Sequence, residues 1–372
     1  MKAIAITPGT KDVRLVDRPE PKLDTPDEIK LRVLRVGICG TDREEVSGGR
    51  SDAPPGQKEL VIGHEMFGQV VEVGKAVQTA RPGDFGCFTV RRGCGRCPAC
   101  RNGRSDMCTS GAYTERGIKQ RDGYETEMVV DQEQYFVKIP KDQVPLGVLS
   151  EPMSVAEKAI DEALLLQTAR LAGSQGPEKW LEGKQVLVAG LGPIGLLAAV
   201  ALRLRGASVL GLDVVDANSL RPALLEQLGG KYVDGRQTKP QALDNLYGQI
   251  DMIFEATGIA HVEFDLLGAL GINGVYVLTG IPGGDRPLEI DGAGLMRALV
   301  LRNQAMVGSV NASRQHFQSA VDDLGKAYKR WGKTIEQLIT HVVPYTEFEE
   351  VLTKHPDNEI KAVIEWSKPQ LA

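Results

Sequence analysis

The chain has 372 residues, 42% of them hydrophobic and 25% charged, with a formal net charge of -5. That length is too great for one ordinary core and suits two domains, and the composition is that of a soluble globular protein. A mildly acidic chain without a basic stripe argues against nucleic acid or an anionic membrane as partner and leaves small neutral or cationic ligands open.

The opening run "MKAIAITPGTKDVRL" meets Pro8 and charge before an apolar segment of export length can form, so a cytoplasmic location is expected. Residues 1–154 are dense in short strand and turn patterns and are expected to form an irregular β-rich domain. Within it, "VGICGTDREE" carries Cys39 and Thr41, and Thr41 with Glu44 reads as a capping box at a helix start. "VIGHEMFGQVVEVGKAV" carries His64 and Glu65 among Gly63, Gly68 and Gly74. A thiol, an imidazole and a carboxylate make a credible ligand set for a zinc ion that keeps an open position. Cys87, in "FGCFTV", has no partner motif and reads as a buried strand residue.

"RRGCGRCPACRNGRSDMC" then places Cys94, Cys97, Cys100 and Cys108 within fifteen residues, with glycines and Pro98 supplying the turns. The C-x2-C-x2-C-x7-C spacing suits a closed, tetrahedral, structural zinc site. Disulfides are disfavoured in a reducing compartment. An iron–sulfur cluster is the other rival, but the ferredoxin pattern closes after three residues with Cys-Pro, whereas here seven intervene and Thr109 follows Cys108.

Glu151 precedes Pro152 at the start of the helical pattern "SVAEKAIDEALLL", where it either caps the helix or faces a metal. From about 155 to 309, helix and strand patterns alternate, as in a doubly wound α/β sheet. "KQVLVAGLGPIGLLAAVALRLRGASVLGLDVVD" reads as a strand (185–189), the turn Gly190-Leu191-Gly192-Pro193-Ile194-Gly195, an apolar helix and a second strand ending at Asp213. This is the dinucleotide-binding fingerprint in its βαβ context. Gly190 permits the turn, Gly192 admits the pyrophosphate, Gly195 lets helix pack on strand, and the helix amino terminus offers N–H groups to phosphate. Asp213 can accept from ribose hydroxyls and would repel a 2′-phosphate, and Val214 and Val215 supply no arginine, so NAD is expected over NADP, which remains possible. The uncharged stretch of residues 186–202 is too short and too interrupted to span a membrane.

"IDMIFEATG", "GVYVLTGIPGG" (to Gly284) and "RNQAMVGSVN" each end an apolar run in small or polar residues. Ligands of open parallel sheets lie beyond the carboxyl ends of strands, so Thr257, Gly258, Gly280, Ile281 and Asn311 are candidate cofactor contacts. The segment 310–372 begins with a helical pattern, "RQHFQSAVDDLGKAYKRW", and ends in "KAVIEW", a strand expected to return to the first domain. His261, His316, His341 and His355 fall in no constellation and are expected to be solvated.

The order Cys39, Gly63-His64-Glu65, the four-cysteine loop and a later Gly-x-Gly-x-x-Gly resembles the zinc-dependent medium-chain dehydrogenases over essentially the whole chain. "CGTDREEVSG", "RRGCGRCPAC", "ERGI", "DGY", "EPMSVAEKAI" and "VGSVN", with the long link after Glu151, are most similar to the archaeal-type glucose dehydrogenases. The resemblance implies a GroES-like catalytic domain built from both chain ends around a central Rossmann domain, with substrate in the cleft between them. It implies a catalytic zinc on Cys39 and His64, with Glu65 and Glu151 at or near the metal, and sugar contacts from Thr41, Glu115, Glu151 and Asn311. It further implies oxidation of an aldose, D-glucose above all, at the anomeric carbon to the lactone, with Thr41 passing the proton and a nicotinamide dinucleotide taking the hydride. A homodimer or homotetramer is the implied assembly. A polyol, alcohol or L-threonine dehydrogenase of the same layout is the alternative, and a zinc- and nucleotide-binding sensor without turnover is a second.

Overall fold

The computed structural model describes residues 1–171, 176, 179–283, 287–356 and 358–370. Part of the link after Glu151, and Gly284, therefore lie outside the described residues. The chain forms two compact units: Met1–Ser154 with Asn311–Gly325 and Glu336–Ala372, and Val155–Val310 with Lys326–Ile335. The segment 310–372 is thus divided, because the end of the helix Arg314–Trp331 and the turn after it belong to the second unit. There Arg330 donates to the Arg203 carbonyl (3.3 Å) and Thr334 to Gln227 (3.1 Å).

The first unit is built on a seven-stranded sheet whose path runs 136–139, 85–88, 65–73, 28–38, 361–365, 339–344, with 128–132 pairing 28–38 off that path. Strand Glu28–Ile38 is buried along almost its whole length, which is why its apolar residues do not alternate cleanly. The carboxyl-terminal "KAVIE" lies in this unit and pairs with that strand antiparallel, Ala362 opposite Ile38. Phe67 stacks on Phe85 and Phe88 meets Phe136 edge-on, and Gly86 leaves room for the Phe136 ring, which a Cβ there would strike at 2.3 Å. Cys87 is fully buried in this sheet. A small sheet of 91–92, 114–116 and 120–121 stands beside the cysteine loop.

The second unit is a six-stranded, all-parallel sheet in the order 231–234, 208–213, 185–189, 250–255, 270–278, 305–308. Numbered along the chain, this is the doubly wound order 3-2-1-4-5-6, with the reversal beside strand Gln185–Ala189. The uncharged stretch resolves into that strand and the helix Pro193–Leu204, buried from Gly195 to Leu202. No helix among the described residues is long and apolar enough to cross a membrane.

His261 and His355 are exposed and His341 is half-buried. His316 departs from expectation: it is 2% exposed, with Nδ1 3.0 Å from the Ser313 hydroxyl, because it lies in the first turn of the helix Arg314–Trp331 and closes its start.

Candidate active site

Cys39 ends the long strand and begins the short helix Gly40–Val46. Its Sγ accepts from the Thr41 N–H (3.2 Å), while Asp42 accepts from the Cys39 N–H (2.8 Å). The capping box is therefore Cys39 with Asp42 rather than Thr41 with Glu44, because the helix starts at Gly40 and Thr41 already lies inside its first turn. Thr41 is therefore not the capping residue.

His64 and Glu65 enter from the neighbouring strand, where Glu65 pairs with Gly37. His64 Nε2 lies 3.2 Å from Cys39 Sγ, and the ligand atoms of Cys39, His64 and Glu65 all fall within 4.8 Å of one another. On the far side of the ring, Nδ1 lies 3.4 Å from Asp42 Oδ1. Burial alone would discharge this imidazole, but Cys39 and Asp42 hold its pKa well above the usual histidine value. Burial pushes the Cys39 thiol up, with His64 opposing it. The donors suit zinc: a thiolate, an imidazole aimed at it, and a carboxylate fixing the imidazole from behind.

Glu151, in the first turn of the helix Ser150–Arg170, falls outside the 4.8 Å set. It is buried, which pushes its carboxyl up to about 7, while the charges of His64 and Glu65 act on it.

Glu115 and Asn311 meet although 196 positions apart: Asn311 Nδ2 donates to Glu115 Oε1 (2.7 Å). Asn311 takes the left-handed conformation (φ 64°) to do so. Arg91, directly opposite Glu115 in the small sheet, donates to the same oxygen from Nε (3.0 Å) and from Nη2 (2.9 Å). Arg91 also donates to the Asp106 carbonyl inside the cysteine loop. The loop thereby anchors the residue that orients Glu115. A motif search misses Arg91 because its importance arises from strand register.

Cys94, Cys97, Cys100 and Cys108 bring their four Sγ atoms within 4.8 Å of one another. No disulfide joins them, and all six cysteines are free. Backbone N–H groups of Cys100 and Thr109 draw the Cys97 thiol down to about 5, and the Ser110 hydroxyl draws Cys108 down to about 7. Such thiols are ready metal ligands. Gly93 is needed here, since a Cβ would stand 2.4 Å from Cys100 Sγ.

In the second unit Gly190 has φ 88°, and a Cβ on Gly195 would stand 1.8 Å from the Gly190 carbonyl oxygen. Around Gly192, which caps the helix Pro193–Leu204 without a side-chain hydrogen bond, the space is open. Asp213 accepts from Leu191 N–H (2.7 Å) and Val214 N–H (2.7 Å), which ties the fingerprint turn to the second strand. The fold brings in two arginines that adjacency in sequence does not show. Arg221 Nη1 lies 3.8 Å from Asp213, and Arg236 donates to Asp234 (2.6 Å) and the Val215 carbonyl (3.2 Å). Glu255, fully buried, accepts from the backbone of Thr257 (2.5 Å), Gly258 (3.0 Å) and Gly280 (3.2 Å), drawing two strand ends together. Ile281 is exposed beside them. Asn311 lies in the first unit, with Glu115.

Residues 25–141 match the alcohol dehydrogenase GroES-like domain, and residues 144–366 match the glucose dehydrogenase C-terminus. A glucose 1-dehydrogenase of Methanocella arvoryzae is 37% identical over 98% of this chain and 99% of its own, and glucose 1-dehydrogenase 2 of Vulcanisaeta moutnovskia is 38% identical over 98% and 99%. Haloferax mediterranei glucose dehydrogenase, solved in complex with NADP, Zn and gluconolactone, superposes with a TM-score of 0.87 at 35% identity, covering 99% of this chain and 100% of that one. With both halves matched and full-length relatives well above 30% identity, the chain belongs to the glucose dehydrogenase family of zinc-dependent medium-chain dehydrogenases.

Proposed function

We propose that the chain oxidises an aldose, D-glucose above all, at the anomeric carbon to the lactone, with hydride transfer to NAD(P). The observation that carries this reading is the pairing, within one unit, of the Cys39–His64–Glu65 cluster with the polar pair Glu115 and Asn311. Such a pair suits a polyhydroxylated substrate better than a simple alcohol.

When bound, a zinc ion on Cys39 and His64 supplies Lewis acidity at the sugar oxygen, and the dinucleotide supplies the hydride acceptor. Asp42 holds the His64 ring in place through Nδ1. Thr41 accepts the substrate proton at its hydroxyl and passes it to solvent. Glu115, fixed by Arg91, and Asn311 bind sugar hydroxyls, and Glu151 contributes a further contact near the metal ligands. Gly190, Gly192, Pro193, Ile194 and Gly195 cradle the pyrophosphate, and Thr257, Gly258, Gly280 and Ile281 line the nicotinamide side. NAD is favoured over NADP because Asp213, at the end of the second fingerprint strand, would accept from ribose hydroxyls and repel a 2′-phosphate, while the nearby Arg221 and Arg236 are engaged with Asp213 and Asp234. Cys94, Cys97, Cys100 and Cys108 hold a structural zinc.

The chain acts in the cytoplasm, a reading supported by its six free thiols. It works as a homodimer or homotetramer, which the exposed Met296, Val300 and Leu301 on the helix Gly292–Leu301 support. Turnover assays against aldoses, polyols and L-threonine test the reading, and loss of turnover on chelation separates an enzyme from a sensor.

A further inference from the structure

We infer that Lys361 is a positioning residue that holds Glu65 back from the metal and so preserves a coordination place for the substrate; this rests on the zinc reading of the Cys39–His64 site. Lys361 opens the last strand, Lys361–Glu365, which returns from the far end of the chain to pair with Glu28–Ile38. Its side chain is 1% exposed, and its ammonium lies 2.7 Å from Glu65 Oε1, 2.7 Å from Oε2 and 3.0 Å from the Ile38 carbonyl. These contacts use the three donors an ammonium has.

The same Glu65 carboxylate stands within 4.8 Å of the ligand atoms of Cys39 and His64. One carboxylate is therefore claimed from two sides, by a buried ammonium and by a metal. Its pose is built from three places in the sequence. Glu65 faces Gly37 across the strand pair, and a Cβ on Gly37 would stand 2.2 Å from Glu65 Oε2, so the glycine clears the space that the carboxylate fills beside Lys361. An acid whose two oxygens both serve a buried cation is a weakened ligand. The site then keeps Cys39 and His64 as fixed protein donors, leaves the third protein place to the neighbouring Glu151, and preserves the open position that a catalytic zinc requires.

The test uses the full-length protein with Co(II) in place of zinc, comparing wild type, Lys361→Met and Lys361→Arg. The four-cysteine site is the same in all three, so difference spectra isolate the Cys39 site. In Lys361→Met, Glu65 is freed to join the metal: the visible absorption of Co(II) changes, metal loss to a chelator slows about tenfold and kcat falls about tenfold. Lys361→Arg keeps the charge and restores both the spectrum and kcat. An unchanged Co(II) spectrum and chelation rate in folded Lys361→Met would make Lys361 a merely structural cation and overturn the inference. Should Lys361→Met not fold, Glu65→Gln decides: the inference expects metal retention within about twofold of wild type, and loss of the metal would show Glu65 to be a standing ligand. A wild-type content of one metal ion per chain would instead remove the zinc reading itself, and this inference with it.

Discussion

Thr41 illustrates how a single residue's role depends on where its helix begins. With Cys39 and Asp42 closing the helix, Thr41 is free of the capping role, and its backbone N–H, 3.2 Å from the Cys39 thiol, sets the residue next to the proposed metal ligand. Thr41→Ala should lower kcat about 10²-fold, and Thr41→Ser should retain most of it, in steady-state assays at saturating cofactor. Equal activity of Thr41→Ala and wild type would assign the proton transfer elsewhere. At this scale Cys39, His64 and the four-cysteine loop were legible because their side chains have few other uses at such spacings. Asp42, Arg91, Glu255 and Lys361 were not legible, since each is an ordinary charged residue whose partner is set by strand register or chain return. Lys361 lies 296 positions from the Glu65 it binds.

Among the elements, the cysteine loop does more than staple itself. Arg91 connects it to Glu115 through the Asp106 carbonyl, so loss of the metal there should be felt at the sugar. Cys100→Ser should cut zinc content by about one ion per chain and raise KM for the sugar about tenfold, with a smaller change in kcat, as positioning effects do. Elemental analysis and steady-state kinetics check both; an unchanged KM in the zinc-depleted variant would make the loop structurally separate. The strand Gln185–Ala189 and the helix Arg314–Trp331 were readable to the residue because a buried parallel strand and an amphipathic helix impose clear patterns. The helix start at Gly40 was misread because a cysteine does not figure among the usual capping residues.

For the molecule as a whole, the helix Gly292–Leu301, "GAGLMRALVL", is apolar yet has no buried residue, and Val300 and Leu301 are 73% and 74% exposed. Beside it, strand Ala305–Gly308 forms an edge of the parallel sheet, with Met306 exposed. An exposed apolar face next to a sheet edge is the kind of surface that association covers, which supports the proposed oligomer. Replacing Val300 and Leu301 with glutamate should reduce the mass measured by light scattering to that of a smaller assembly; an unchanged mass would place the contact elsewhere.

The central claim is tested most directly by the initial rate of cofactor reduction by the zinc-replete protein, with D-glucose, other aldoses, polyols and L-threonine, each against NAD and NADP. Fastest turnover of aldoses with NAD, lost on chelation, is the predicted result, whereas faster turnover of a polyol or L-threonine, or none with any of them, would contradict it.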